Sequence, residues 1–270
     1  MGSEGTVTRL RQRLHACREE GRLALLLYLT VGFPSVAATV EMGQALMELG
    51  VDGIELGIPF SDPLADGPTI QAAASVALGN GVTTEVCLQV ATALRQHDRR
   101  IPLLFMGYFN PMLQYGPMPF VRASVQAGVD GLIVPDLPLE EAEELDGPCR
   151  EAGLGVVPLV APTTPPARIR LQDRRATGFL YVVTRQGVTG AREPLPEDVP
   201  DLVRRVRRES GSPLALGFGI GHAAQVRALR GLADAAIVGS ALIARIASSD
   251  GSVQEVRRFA RDLLEGTYPG

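Results

Sequence analysis

One glutamate of this chain lies within an apolar segment of the kind that forms a buried β-strand. Residues 51–57 alternate between the two faces of a strand, which places Glu55 opposite the apolar face formed by Ile54 and Leu56. A carboxyl group on an inner face is costly to ionise, and burial of this kind raises its pKa. Glu55 is therefore the first candidate for a general acid or base, the alternative being a structural ion pair with an inward arginine.

Two more carboxylates follow in a proline-rich loop. Residues 59–68 read PFSDPLADGP, and both Asp62 and Asp66 are candidates for a second catalytic carboxylate. Loops that follow strands often carry function. The alternative is that these aspartates serve only as turn formers or helix caps, which is common before a Gly-Pro pair.

A tyrosine and a glycine-flanked segment mark a later strand and its end. Tyr181 shares a strand face with Val183, so alternation predicts that Tyr181 points inward. Its phenol could bind a substrate or orient a carboxylate, or it could be a core residue with a satisfied hydroxyl. Residues 187–190, GVTG, are typical of a lid hinge.

Two glycine-rich strand ends suggest a phosphate site. Residues 216–221 read LGFGIG and residues 238–241 read VGSA, opening a short helix over 240–247. Glycine lets backbone N–H groups approach an anion, and a helix N-terminus favours negative charge. The alternative is a pair of ordinary tight turns.

The composition excludes several kinds of chemistry. All 26 basic residues are arginine, so no lysine can form a Schiff base with a carbonyl substrate or with pyridoxal phosphate. The three histidines and three cysteines are scattered, which predicts no metal site and no disulfide framework. Any chemistry must therefore come from carboxylates, hydroxyls, tyrosine and backbone groups.

The charge and the hydropathy pattern restrict partners and location. The formal net charge is −4, which argues against nucleic acid and against an anionic membrane surface. The first residues lack the apolar core of a signal peptide, and no apolar run reaches the length of a membrane span. We therefore expect a cytoplasmic protein.

The elements that must position these residues follow a regular alternation. Eight short apolar segments alternate with amphipathic ones across the 270 residues. This pattern predicts an α/β protein, a single (β/α)8 TIM barrel over 1–270 with an extra N-terminal helix over 8–20 and the short extra helix after strand 8. A doubly wound sheet is the alternative, but this sequence lacks the GxGxxG that usually follows the first strand of such a sheet. In a barrel, every candidate above lies at the C-terminal rim.

The motifs also resemble one known family. Residues 55–71, ELGIPFSDPLADGPTIQ, resemble the signature of the tryptophan synthase alpha chain. The resemblance extends over about residues 8–265. Further matching segments are 30–32, 108–111, 134–138, 185–190, 217–220 and 239–240.

The resemblance implies an activity, site residues and a partner. The family cleaves indole-3-glycerol phosphate to indole and glyceraldehyde 3-phosphate, and passes indole to a beta chain within an αββα complex. No cofactor is expected in this chain, and pyridoxal phosphate is expected only in the beta partner. By resemblance, the catalytic pair is Glu55 and Asp66. The substrate-binding residues are Tyr28, Tyr108, Tyr181, Thr189, Phe218, Gly219, Gly239 and Ser240, and the partner contacts are Asp62, Pro63 and Asn110.

The implied reaction agrees with the composition. Once its C3 is protonated, the indole ring can accept the bonding electrons itself, so neither lysine nor metal is needed. We expect Glu55 to move both protons and Asp66 to accept the indole N–H. Three positions depart from the family: Gly221 stands where many relatives have serine, Tyr28 where relatives often have phenylalanine, and Phe33 replaces a more polar rim residue.

Three other readings remain open at this point. One is a lyase of the same fold that works alone and releases free indole. Another is a non-catalytic activator of the beta subunit, against which the presence of both Glu55 and Asp66 argues. The third is another phosphate-binding barrel, such as an isomerase of histidine biosynthesis, but such enzymes tend to carry carboxylates at the ends of strands one and five.

Overall fold

Parallel β-strands form the centre of the molecule in a computed structural model that describes residues 5–184, 195–217 and 219–269. The order within the sheet is β5-β4-β3-β2-β1-β9-β8-β7-β6, and every pair of neighbours is parallel. The strands in this part of the chain are β1 Ala24–Thr30, β2 Gly53–Gly57, β3 Leu103–Met106, β4 Gly131–Ile133, β5 Gly155–Val156, β6 Leu159–Val160, β7 Leu180–Val183, β8 Leu214–Gly217 and β9 Ala235–Val238.

The two ends of this sheet are joined by one stretch of chain. The Val157 N–H donates to Leu132 O (2.9 Å), and Pro158 O accepts from the Tyr181 N–H (2.9 Å). β5 and β6 are thus two halves of the fifth barrel strand, the first paired with β4 and the second with β7. They are separated at Pro158, which has no N–H to donate. The barrel is closed with eight strands, so the barrel prediction is confirmed and the doubly wound alternative is wrong.

Helices cover the outside of the barrel. In the described residues they are α1 Gly5–Glu19, α2 Val36–Leu49, α3 Pro68–Gly79, α4 Thr84–His97, α5 Phe109–Tyr115, α6 Pro117–Gln126, α7 Glu143–Ala152, α8 Pro166–Arg175, α9 Val199–Glu209, α10 Ala223–Leu229, α11 Ser240–Ser248 and α12 Val253–Thr267. The predicted extra helices are present as α1 and α11. None of the helices in the described part of the chain is both long and apolar enough to cross a membrane.

The sequence did not predict α3 and α5. Helix α3 is rich in small apolar residues and begins after Gly67, whose lack of a side chain removes the usual capping signal. Helix α5 has only seven residues and contains Pro111 in its first turn. Proline is tolerated there because the first N–H groups of a helix have no partner within the helix.

The core has an outer and an inner part. Residues such as Ile54 and Leu56 pack outward between the strands and the helices. Residues such as Leu26, Leu104 and Ile237 fill the barrel interior. Leu10, Leu14 and Cys17 of α1 pack against that interior, so α1 closes the N-terminal end of the barrel.

A repeated hydrogen bond connects the strands at this closed end. A side chain that precedes each even-numbered barrel strand accepts the N–H at the start of the odd-numbered strand before it in the chain. The four bonds are Asp52 with Leu25 (2.8 Å), Asp130 with Leu103 (2.8 Å), Thr177 with Val156 (2.6 Å) and Asp234 with Leu214 (2.8 Å). We call these four contacts the base latches.

Three arginines of α1 bind residues of three base latches. Arg9 Nε lies 2.7 Å from Asp130 Oδ1, and Arg13 Nε lies 2.7 Å from Asp52 Oδ1. Arg11 Nε donates to the backbone oxygen of Thr177 (2.6 Å). The N-terminal end is therefore held by polar contacts, which are buried at Asp52 and Asp130 and partly exposed elsewhere, and the loops at the C-terminal end are available for a site.

Candidate active site

Glu55 lies in the middle of β2, inside the barrel. It is paired in register with Tyr28 of β1, and its side chain is buried, with 1% of the residue exposed. Neither carboxyl oxygen has a hydrogen-bond partner among the described residues. Burial raises the pKa of Glu55 to about 8. The group is therefore protonated at neutral pH and can act as an acid.

Asp66 lies in the loop after β2, where Tyr108 holds it. The Tyr108 hydroxyl donates to Asp66 Oδ2 (3.0 Å) and accepts from the Ala65 N–H (3.0 Å). The Phe60 ring packs against the Tyr108 ring, with 5.4 Å between the centroids. Burial raises the pKa of Asp66, and the hydrogen bond from Tyr108 opposes this rise. Tyr108 thus orients one carboxylate oxygen and leaves the other for a ligand.

Two tyrosines extend toward the C-terminal end of the barrel beside Glu55. A side chain at Gly57 would overlap the Tyr28 hydroxyl, and one at Gly217 would overlap the Tyr181 hydroxyl. Both rings are buried, and burial raises both phenol pKa values, to which the charges of Glu55 and Asp66 add. The two phenols therefore stay protonated close to both carboxyl groups. As predicted from strand alternation, Tyr181 packs in the barrel interior.

The glycine-rich strand ends lie beside this pocket. Gly239 precedes the first residue of α11, Ser240, and a side chain at Gly239 would contact Tyr28 at 3.5 Å. Gly219 follows β8 with a φ of 89°, a backbone conformation that glycine adopts without strain. The backbone around Gly219 and the N-terminus of α11 could receive an anion.

Sequence reasoning missed one polar residue near this loop. Gln225 in α10 is buried, with 6% exposed. Its Oε1 accepts from the Gly221 N–H (2.7 Å) and its Nε2 donates to Gly219 O (3.1 Å). The only signal in the sequence was a glutamine within the apolar part of a short helix.

The predicted partner contacts lie on the outside of the same rim. Asp62 and Asn110 are exposed, and Pro63 is half-buried. Leu64, beside them, is 82% exposed. Phe109 N donates to the Asp136 carboxylate (2.9 Å), which fixes the start of α5 next to Asn110.

Two of the predicted substrate-binding residues, Thr189 and Phe218, lie outside the described residues. Within the ranges that the structure describes, no group of three or more His, Cys, Asp or Glu side chains is arranged to hold a metal ion.

The closed barrel and the carboxyl groups at its C-terminal end define a (β/α)8-barrel enzyme of the acid–base class. A family model described as the tryptophan synthase alpha chain matches residues 14–265. The chain belongs to the tryptophan synthase alpha chain family, as its motifs had suggested. This membership excludes the reading as an isomerase of histidine biosynthesis.

Individual relatives agree with this assignment. The chain is 47% identical to the tryptophan synthase alpha chain of Dehalococcoides mccartyi, covering 90% of this chain and 95% of the relative. It is 39% identical to a Saccharomyces cerevisiae protein named tryptophan synthase, covering 97% of this chain but 37% of that protein. A structure of Mycobacterium tuberculosis tryptophan synthase superimposes with a TM-score of 0.90 at 37% identity, covering 97% of this chain and 99% of the matched chain.

Proposed function

We propose that this chain, as a single barrel domain, cleaves indole-3-glycerol phosphate to indole and glyceraldehyde 3-phosphate. The observation that carries the proposal is Glu55, a buried carboxyl group without a hydrogen-bond partner among the described residues and with its pKa raised to about 8. A protonated acid at neutral pH is what the first step requires, since C3 of the indole must receive a proton before its bond to the glycerol chain can break.

Glu55 regains a proton within the same turnover, because the proton that it gives to C3 stays on the indole product and a second proton comes from the glycerol chain. After donating, Glu55 is a carboxylate and removes the proton from the hydroxyl on the adjacent glycerol carbon. That oxygen becomes the aldehyde oxygen, the carbon–carbon bond breaks, and its electrons return to the indole ring. Asp66 accepts the indole N–H and stabilises the positive charge that develops on the ring. The free oxygen of Asp66 is available because Tyr108 binds the other.

The remaining residues bind the two ends of the substrate. Tyr28 and Tyr181 line the pocket beside Glu55, and the backbone of Gly219, Gly239 and Ser240 binds the phosphate. Helix α11 directs its N-terminus to this end. Family resemblance adds Thr189 and Phe218 to the binding residues.

A second protein must complete tryptophan synthesis. The chain has no lysine to hold pyridoxal phosphate covalently, so we infer that this chain carries no cofactor and that a beta chain supplies it within an αββα complex. The yeast relative supports this, because the region similar to this chain is only 37% of that protein. We propose Asp62, Pro63 and Asn110 as contacts to the beta chain, in the cytoplasm.

Indole release from indole-3-glycerol phosphate tests the proposal. We expect the purified chain to be slow alone and faster with a beta chain. A fast rate that the beta chain does not change would indicate a lyase that works alone. Stimulation of the beta chain without any indole release would indicate a non-catalytic activator and would overturn the proposed activity.

The activity of the free enzyme should follow the protonation of Glu55. We expect kcat/KM to be level near neutrality and to fall about tenfold per pH unit above a pH of about 8, because deprotonated Glu55 cannot donate. The substrate phosphate is fully ionised by then, since its second pKa is near 6. Rates measured from pH 6.5 to 10 check this, and a profile that stays level beyond pH 9.5 would contradict it.

Removal of the Tyr108 hydroxyl should leave the Asp66 carboxylate less well oriented. In Tyr108→Phe, Asp66 loses a hydrogen bond to a charged group, and we expect kcat/KM to fall about 10- to 100-fold. The matched control is Tyr268→Phe, an exposed tyrosine near the opposite end of the barrel. The measurement is the steady-state kcat/KM of both variants compared with that of the wild type. Equal rates would mean that Asp66 does not need Tyr108.

A further inference from the structure

We propose that Gln225 is a positioning residue that fixes the phosphate-binding loop after the seventh barrel strand. The inference deepens the proposed function and rests on it. Gln225 is a buried polar side chain in α10, outside the catalytic pair. It spans a three-residue loop, binding the Gly221 N–H at one end (2.7 Å) and Gly219 O at the other (3.1 Å).

The first consequence concerns the direction of one peptide group. The C=O and N–H of a trans peptide point in opposite directions. Because Gly219 O points to the Gln225 amide, the following N–H, that of Ile220, points away from α10. The Gly219 carbonyl oxygen would repel the phosphate if it faced it, and the hydrogen bond from Gln225 Nε2 keeps this oxygen turned toward α10. The φ of 89° at Gly219 makes this orientation accessible.

A second consequence concerns Gly221, the last residue of this loop. Its N–H is already bound by Gln225, so it is not a donor to the phosphate. A side chain at Gly221 would lie 3.3 Å from Ala241 in the first turn of α11. Gly221 therefore lets the loop approach α11 closely, and Gln225 holds it there. The two halves of the phosphate site are positioned relative to each other through this contact.

A defect at this loop should affect binding more than chemistry. The phosphate group does not react, and contacts that bind the ground state and the transition state equally change KM without changing kcat. Loosening the loop should raise KM and leave kcat nearly unchanged. A general structural role would lower both activity and the affinity for unphosphorylated ligands.

The experiment compares Gln225→Glu, Gln225→Met and the control Gln89→Glu in the full chain. Gln225→Glu keeps the shape but replaces the amide donor by oxygen, which repels Gly219 O and the phosphate. Gln225→Met removes both hydrogen bonds with little change in volume. Gln89 is exposed on α4 and receives the same change of charge. The readouts are calorimetric affinities for glycerol 3-phosphate and for indole, and steady-state cleavage of indole-3-glycerol phosphate.

We expect Gln225→Glu to bind glycerol 3-phosphate at least tenfold more weakly, with KM raised to match, and kcat and indole affinity within twofold of wild type. Gln225→Met should show a smaller change in the same direction, and it carries the test if the charged variant does not fold. Variants that bind glycerol 3-phosphate as the control does would overturn the role of Gln225 alone. Wild type that neither binds glycerol 3-phosphate nor cleaves the substrate would overturn the proposed function and this inference together.

Discussion

Glu55→Gln is expected to lower kcat for indole release by about 10³-fold, because general acid–base catalysis of each proton transfer typically contributes about 10²- to 10⁴-fold. Glutamine matches glutamate in shape but can neither give a proton to C3 nor take one from the glycerol hydroxyl. Substrate binding should change little, since the carboxyl group is neutral near pH 7 and makes no hydrogen bond to the described residues. The measurement is single-turnover cleavage with the beta chain present.

Two controls separate lost chemistry from lost structure. Glu41→Gln makes the same exchange at an exposed position of α2 and should leave the rate unchanged. The folded state raises the pKa of Glu55 from 4.5 to about 8, so between these pH values the native state binds more protons than the unfolded state. Stability of the wild type then falls as pH rises through this window, by up to about 1.4 kcal/mol per pH unit. Glu55→Gln should lack this loss and be the more stable protein at pH 8. If it keeps the wild-type rate, Glu55 is structural and the mechanism is wrong.

Asp52→Asn is expected to destabilise the barrel by about 3–5 kcal/mol, a large part of the roughly 5–15 kcal/mol that holds a domain folded. The Asp52 side chain is completely buried and binds both terminal nitrogens of Arg22 (2.7 and 2.8 Å). It also accepts the Leu25 N–H of its base latch (2.8 Å). Asparagine can keep that last contact but removes the buried counter-charge of Arg22, whose side chain is only 3% exposed and whose other ion pair is with the half-exposed Glu20.

Urea unfolding measures this loss against a matched pair. Asp201 and Arg204 form an ion pair on the surface of α9, and the same exchange, Asp201→Asn, should cost less than about 1 kcal/mol. Replacing Arg22 by methionine in the Asp52→Asn background should restore part of the stability, because it removes a buried charge that has lost its buried partner. A loss no greater than that of Asp201→Asn would show that the ion pair at the barrel base contributes nothing measurable.

Much of the fold could be predicted because its signals are local. Alternation in residues 51–57 placed Glu55 inside and Ile54 outside. The starts of α2 and α4 are equally local, since the side chains of Ser35 and Thr83 cap N–H groups three residues further on. The division of the fifth strand at Pro158 was not predicted, because it arises from different neighbours on its two sides. The base latches were not predicted either, since they join residues that are distant in sequence.

The candidate site was only partly accessible to sequence reasoning. Strand position alone singled out Glu55, whereas Asp62 and Asp66 were equivalent candidates until family resemblance chose Asp66. The hydrogen bond between Tyr108 and Asp66 joins two loops 42 residues apart, and no local pattern indicates it. Gln225 acts through backbone groups of a neighbouring loop, which a sequence does not display.

The arginines of α1 also determine when the barrel can become stable during synthesis. Arg9 and Arg11 bind partners that lie 121 and 166 positions further along the chain. During synthesis α1 is made before every barrel strand, yet these partners emerge only with the starts of the fourth and sixth barrel strands. Contacts of such high sequence separation bring their stabilisation only after most of the chain is ordered. Helix α1 therefore precedes the barrel strands in synthesis but is among the last elements to be fixed in place, and a nascent half-barrel lacks the helix contacts that close its base.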